Sequence, residues 1–201
     1  MANLSEYDES ASGVREDILQ AARAEFASNG RRGVSVRAIA ARAGVTAAMI
    51  NYYYGSKQAL YDVVVEGAQA RLFGGIAAVM REGDPADAPA RIAGVYFDFL
   101  SEEREMQQLL LHEVLEDGEG VQQLVRKYVV PMRALFERHF GSDEDTFQAA
   151  ISLFGVVAAY FLYAPVLGAL RGEDPLSAEH LARRRQHVVA VATLLGEMRT
   201  K

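Results

Sequence analysis

The chain has 201 residues, half of them hydrophobic and 24% charged, which is ordinary globular composition with room for one or two domains and a substantial core. It contains no cysteine, which excludes disulfides, thiolate metal sites and cysteine nucleophiles and is compatible with a reducing cytoplasm. The net charge of −6 makes the protein acidic as a whole, so the distribution of its charge along the chain matters more than the total.

Residues 1–13, MANLSEYDESASG, are polar and acidic and lack the apolar run of a signal peptide. They read as a disordered tail. From Val14 to Asn29 the pattern becomes helical, with Val14, Ile18, Leu19, Ala22 and Phe26 on one stripe and Gly30 as its stop. Arg31 and Arg32 fall in the loop that follows, as solvated charge or as contacts to a phosphate.

Ser35 is placed to cap a short helix in which Val36, Ile39, Ala40 and Ala43 form the apolar face and Arg37 and Arg42 point outward. Gly44 ends it, because glycine takes the left-handed conformation that re-aims the chain in a three-to-four-residue turn. Thr46 caps the next helix, from about Ala47 to Tyr53, with Val45 and Ile50 facing its predecessor. Two short helices crossing at a tight turn fit either an ordinary helical hairpin or a DNA-binding helix-turn-helix. Charge separates the two: segment 14–57 carries seven Lys and Arg against three Asp and Glu, a net of +4, whereas 1–13 and 58–201 carry nets of −3 and −7. A basic module on an acidic protein is the electrostatic footprint of phosphate binding, driven by counterion release.

Over about 14–66 the chain resembles the TetR-type transcriptional regulators. VREDILQAARAEFASNGRRGVSV is similar to their first helix and lead-in, and RAIAARAGVTAAMINYYYGSKQAL to their helix-turn-helix signature. The resemblance implies a DNA-binding role for Ser35, Arg37, Thr46, Ala47, Asn51, Tyr52, Tyr53 and Lys57. Arg37 would reach a base edge or phosphate, Thr46, Tyr52 and Tyr53 backbone or bases, and Lys57 a phosphate at the start of the fourth helix. Two positions depart from the family: Asn51 stands where a tyrosine is common, and Tyr54 where phenylalanine is usual. Asparagine can bond adenine bidentately, so readout is retained with altered preference, while Ala47, Ala48 and Met49 can only touch thymine methyls. Tyr54 reads as core.

Ser56 starts a long helix through Leu60, Val63, Val64 and Gly67 towards Leu72, with breaks at Gly74, Gly75 and EGDPADAP (82–89). Asp87 or Ala88 begins the next helix, whose apolar face is Ile92, Val95, Tyr96, Phe99 and Leu100. A further face follows at Met106, Leu109, Leu110, Val114 and Leu115, then DGEG (117–120), then a pattern from Val121 to His139 with a kink expected at Pro131. Nothing alternates like a strand, so the fold class is all-α, and the resemblance implies a three-helix helix-turn-helix head over 14–57 and a helical ligand-binding and dimerisation body over 58–201.

Residues 149–170 carry no charge over a length that could span a bilayer. Pro165, two tyrosines and Ser152 interrupt them, and burial on two sides explains the stretch better than a membrane. Ser177 caps a final helix with Leu181, Val188, Ala192 and Leu195 on a seam, and Arg183, Arg184 and Arg185 read as rim or solvated charge. The resemblance implies that 149–170 and 178–198 pair with their copies in a homodimer.

Catalytic signals are weak. His112, His139, His180 and His187 are scattered without zinc-helix spacing, and no nucleophile elbow, Walker loop or dinucleotide fingerprint occurs. No enzyme activity, cofactor or metal is expected. Tyr96, Phe99, Leu100, Leu110 and Tyr128 lie on apolar faces of successive helices, as do Met132, Phe136, Phe154 and Val157. Tight core packing accounts for each alone. Together with His112 they could line a pocket for a small apolar or aromatic ligand. With the resemblance, the expected function is a cytoplasmic transcriptional regulator, by that family's usual outcome a repressor with activation left open, released from a palindromic operator by such a ligand. The alternative is a helical small-molecule-binding protein or enzyme using the head for another purpose.

Overall fold

The computed structural model describes residues 4–103, 122 and 125–198. Among these every regular element is helical. In chain order they are α1 (Leu4–Gly33), α2 (Val36–Ala43), α3 (Ala47–Tyr54), α4 (Lys57–Arg81), a 3-10 turn (Pro85–Asp87) and α5 (Ala88–Glu102). After a π-helical turn at Val125–Val129 come α6 (Val130–Phe140), α7 (Glu144–Leu162), α8 (Ala164–Arg171) and α9 (Ala178–Met198). The chain divides into two compact units, with the described residues up to Gln69 in one and those from Ala70 onward in the other. That division falls inside α4, beyond Lys57.

In the first unit, α1 begins at Leu4, so residues 4–13 are helical where a disordered tail was expected. No proline interrupts this stretch and Gly13 stands alone in it, so the helix propagates backwards from the apolar stripe of Ile18, Ala22 and Phe26, all fully buried. Gly30 breaks the regular geometry as expected, at φ 64 and ψ 170. Phe26 meets Tyr61 of α4 edge to face, with ring centroids 4.9 Å apart. α1 packs on α2 and α2 on α3, with Ile39, Ala40 and Ile50 enclosed between them.

The second unit is built on α5 crossing α9. Ala93 and Gly94 of α5 and Val188 and Ala192 of α9 are buried, and their small size allows close approach of the two helices. A Cβ on Gly94 would lie 3.1 Å from Nη2 of Arg185, whose guanidinium holds Asp98 by two bonds of 2.7 and 2.8 Å. That pairing raises the Arg185 pKa further. The arginine triplet is therefore not simply solvated. Arg183 pairs with Glu179, Arg184 donates to the Val156 carbonyl and covers the Tyr160 ring, and Arg185 joins α9 to α5.

Burial also corrects the seam on the last helix. Val188 and Ala192 are wholly inaccessible within the one chain, so this face is spent on α5 and is not open to a second copy. The exposed face of α9 runs through Arg183, His187, Ala190, Leu194 and Glu197.

The uncharged stretch 149–170 is two helices, with the break at Tyr163. Pro165 lacks an N–H and its ring crowds the carbonyl four residues back, so α7 cannot continue through it. The kink expected at Pro131 takes another form: Pro131 stands in the first turn of α6, directly after the π-helical turn. Among the described residues two helices, α4 and α7, are long and apolar enough to cross a membrane by length and composition.

Candidate nucleic-acid interface

Local chemistry fixes the ends of α2 and α3. Ser35 is extended at φ −101 and ψ 149, and its Oγ accepts the Ala38 amide at 3.1 Å. Thr46 repeats this at φ −88 and ψ 153, with Oγ1 accepting from Met49 N at 3.3 Å. Between them Gly44 sits at φ 67 and ψ 25, where a side chain would be strained, and the Val45 amide returns to the Ala40 carbonyl at 3.0 Å. The caps and turn thus hold α3 at a set angle to α2.

This arrangement leaves one exposed edge. Ser35, Arg37, Thr46, Asn51 and Tyr52 are exposed, Ala47 and Tyr53 half-buried. Tyr52 is 83% exposed, an unusual position for a large aromatic, and stands edge to face on Tyr53 with centroids 5.2 Å apart. The side chains of Arg37 and Asn51 have no hydrogen bond or ion pair among the described residues. Arg42, by contrast, leans on Glu25 at 3.4 Å. Tyr54 is buried and burial pushes its phenol pKa up.

Lys57 does not stand free on this edge. Its ammonium donates to the main-chain carbonyls of Arg31 at 2.9 Å and Val34 at 2.7 Å. Nothing local in the sequence signals this, since both acceptors lie more than twenty residues earlier.

The sequence pattern of the bacterial regulatory proteins of the tetR family matches residues 18–64, the same stretch that builds this edge. Residues 18–64 thus carry the helix-turn-helix pattern of that family. Solved structures share the fold over most of the chain. A TetR-like transcriptional regulator from Rhodococcus sp. RHA1 superposes with a TM-score of 0.65 at 21% identity, covering 89% of this chain and 93% of that one. A candidate fatty acid metabolism regulator of Clostridium perfringens gives 0.69 at 20% identity, over 88% and 96% of the two chains. The fatty acid degradation regulator FadR from Bacillus halodurans gives 0.63 at 20%, over 87% and 97%. No curated relative matches the chain.

The described residues expected to line a ligand pocket fall in the second unit. Leu110, His112 and the side chain of Tyr128 lie outside the described residues, as do Met106, Leu109, Val114 and Leu115. Of the remaining expected ligand residues, Phe99, Leu100 and Val157 are buried, and Tyr96 packs edge to face on Phe154 at 5.1 Å. Burial pushes the Tyr96 phenol up to about 12. Phe136 lines a small apolar cleft with Pro89, Ile92, Phe140, Leu153 and Leu195. Its free volume is about 20 Å³, room for a group the size of a water molecule and far below a ligand pocket. Met132 is half-buried on the neighbouring turn of α6. Phe140, one turn beyond Phe136, was missed, although its ring lies 4.5 Å from that of Phe136 and its spacing of four marks the same face.

A second small cleft, about 80 Å³, lies at the α8–α9 connection between Tyr160, Leu167, Arg171, Glu173, Pro175 and His180. His180 reaches Ser177 Oγ, the Asp174 carbonyl and Glu173, so this histidine serves the connection. Among the described residues no group of three or more acidic or histidine side chains could hold a metal ion.

α7 presents an apolar face that the other described residues leave open: Phe147, Ile151, Phe154 and Leu162 are all between 37% and 57% exposed. Tyr163, Val166 and Leu170 extend it along α8.

Proposed function

We propose that this regulator is a sequence-specific repressor that binds a palindromic operator as a homodimer and leaves it when a small apolar or aromatic ligand binds the body. The observation that carries the reading is the pair of side chains, Arg37 and Asn51, that have no partner among the described residues, on a helix-turn-helix whose backbone is fixed by two side-chain caps. Arginine reads guanine and asparagine reads adenine through bidentate bonds in the major groove. Ser35 and Thr46 accept an amide with their oxygens and keep a hydroxyl proton to give to phosphate. Tyr52 and Tyr53 reach the sugar-phosphate backbone, and the Ala47 methyl meets a thymine methyl.

Two heads on a two-fold axis match half-sites one helical turn, ~34–36 Å, apart. The exposed face of α7 and α8, with Leu194 of α9, supplies the self-complementary apolar surface that such a dimer needs. On this reading α7 meets a second copy rather than a membrane, and the protein works in the cytoplasm. The ligand is expected to be apolar because the faces that could open for it carry no charge except through His112 and Glu113, which lie outside the described residues. Linkage then requires that operator weaken ligand binding by the same factor by which ligand weakens operator binding.

Selection of duplexes from a random pool, followed by titration of the winner with and without apolar compounds found by thermal shift, tests the reading. Hits that bind equally well with and without operator are not effectors. If only anionic phosphorylated compounds bind, the apolar ligand class is wrong.

A further inference from the structure

We infer that Lys57 is a positioning residue for DNA binding, which holds the α1–α2 connection in place and spends its charge there rather than on a phosphate. The inference rests on the DNA-binding reading above and deepens it. The Lys57 ammonium has three protons, and two are given to the carbonyls of Arg31 and Val34. The Arg31 carbonyl belongs to the last turn of α1, where carbonyls lack intrahelical partners and a cation is favoured. The Val34 carbonyl immediately precedes Ser35, the cap of α2. One ammonium therefore ties the end of α1 and the entrance of α2 to the first turn of α4.

Two further contacts close the same junction. Arg31 Nη1 donates to Gln58 Oε1 at 2.7 Å, and the Arg31 guanidinium lies 5.7 Å from the centre of the Tyr61 ring. Val34 is buried beneath the junction, at 4% exposure. The entry into α2 is thus set by α4, and with it the direction in which Arg37, two residues after the cap, leaves the helix. Without the ammonium, two carbonyls in a part-buried site lose a charged donor, and the cap of α2 loses its anchor.

The test uses the full chain and Lys57→Met, which keeps the stem and removes the charge. In the free protein, amides of Ala38 and Ile39 should exchange roughly tenfold faster than in the wild type, from the loss of charge-assisted bonds, with α9 unchanged. On a duplex found by selection, affinity should fall about tenfold while the dependence of log affinity on log salt keeps its slope, because no phosphate contact is lost. A slope lower by about one unit overturns the inference whatever the exchange shows, since that is the signature of a lost phosphate contact. Unchanged exchange at 38–39 overturns it too.

If wild-type protein selects no duplex, the DNA-binding reading fails, while the exchange measurement still decides the junction. Should Lys57→Met not fold, the ammonium resonance of wild-type Lys57, assigned with Lys57→Arg, replaces it. Slow proton exchange that duplex leaves unmoved supports the inference. Fast exchange in the free protein, or a shift on adding duplex, overturns it.

Discussion

The hydroxyl of Tyr54, at the end of α3, donates a 2.9 Å hydrogen bond to the main-chain carbonyl of Arg15 in α1, thirty-nine residues earlier. The Arg15 guanidinium sits 5.5 Å from the centre of the same ring. Phenylalanine is usual here in the resembling family, so Tyr54→Phe is a clean probe. It should cost about 0.5–1.5 kcal/mol, the net value of one hydrogen bond, because the ring still fills its place. Chemical denaturation of wild type and variant measures it. A loss of more than ~3 kcal/mol would mean that the ring itself had moved.

Gly44 carries the turn. Its φ of 67 is open to glycine and costly for other residues, although a Cβ there would meet nothing within 4 Å. Gly44→Ala should therefore destabilise the head by about 1–2 kcal/mol through backbone strain alone, and Gly44→Asn by less, because asparagine tolerates the left-handed region. Thermal melts that rank Ala above Asn would refute the argument from strain.

Gly44 and the two caps beside it mark what was legible in the sequence. Ser35, Gly44 and Thr46 act within three or four residues of themselves, so caps and turn could be read directly. Lys57 could not be read the same way, because its acceptors are set by the path of α1. Ala192 exposes the other limit. Spacing shows which face of a helix is apolar, but not whether its own chain or another copy covers that face, and here α5 covers it. The ligand region was least legible, since a cavity is a small difference between large packed volumes and helical spacing carries no information about it.

The proposed interface on α7 separates two substitutions. Ile151→Glu, on the exposed face of α7, should leave the fold intact and give monomers by light scattering, since it places like charges on a self-complementary patch. Ala192→Glu should instead destabilise each chain by several kcal/mol, because a carboxylate is forced into a fully packed crossing. A dimeric Ile151→Glu protein would move the interface off α7.

Tyr96 makes stability depend on pH at the alkaline end. Its folded-state pKa is raised from 10.0 to about 12, so the unfolded chain loses its phenolic proton first. Below pH 10 the residue has no effect. Between about pH 10 and 12 it lowers stability by roughly 1.4 kcal/mol per pH unit. Tyr96→Phe should remove this component of the slope, and absorbance titration of the wild type should show one phenol ionising late. An identical slope in the variant would show that the ring is solvated.

Sequence-specific binding by two paired heads is the central claim, and selection of duplexes from a random pool by the full chain tests it most directly. The account predicts an inverted repeat with half-site centres about 10–10.5 base pairs apart, or a multiple of that. Asn51→Ala should then relax preference at one position in each half-site, at a cost of about 1–3 kcal/mol. A pool with no enriched sequence, or an enriched repeat that Asn51→Ala and Arg37→Ala both leave unchanged, would contradict it.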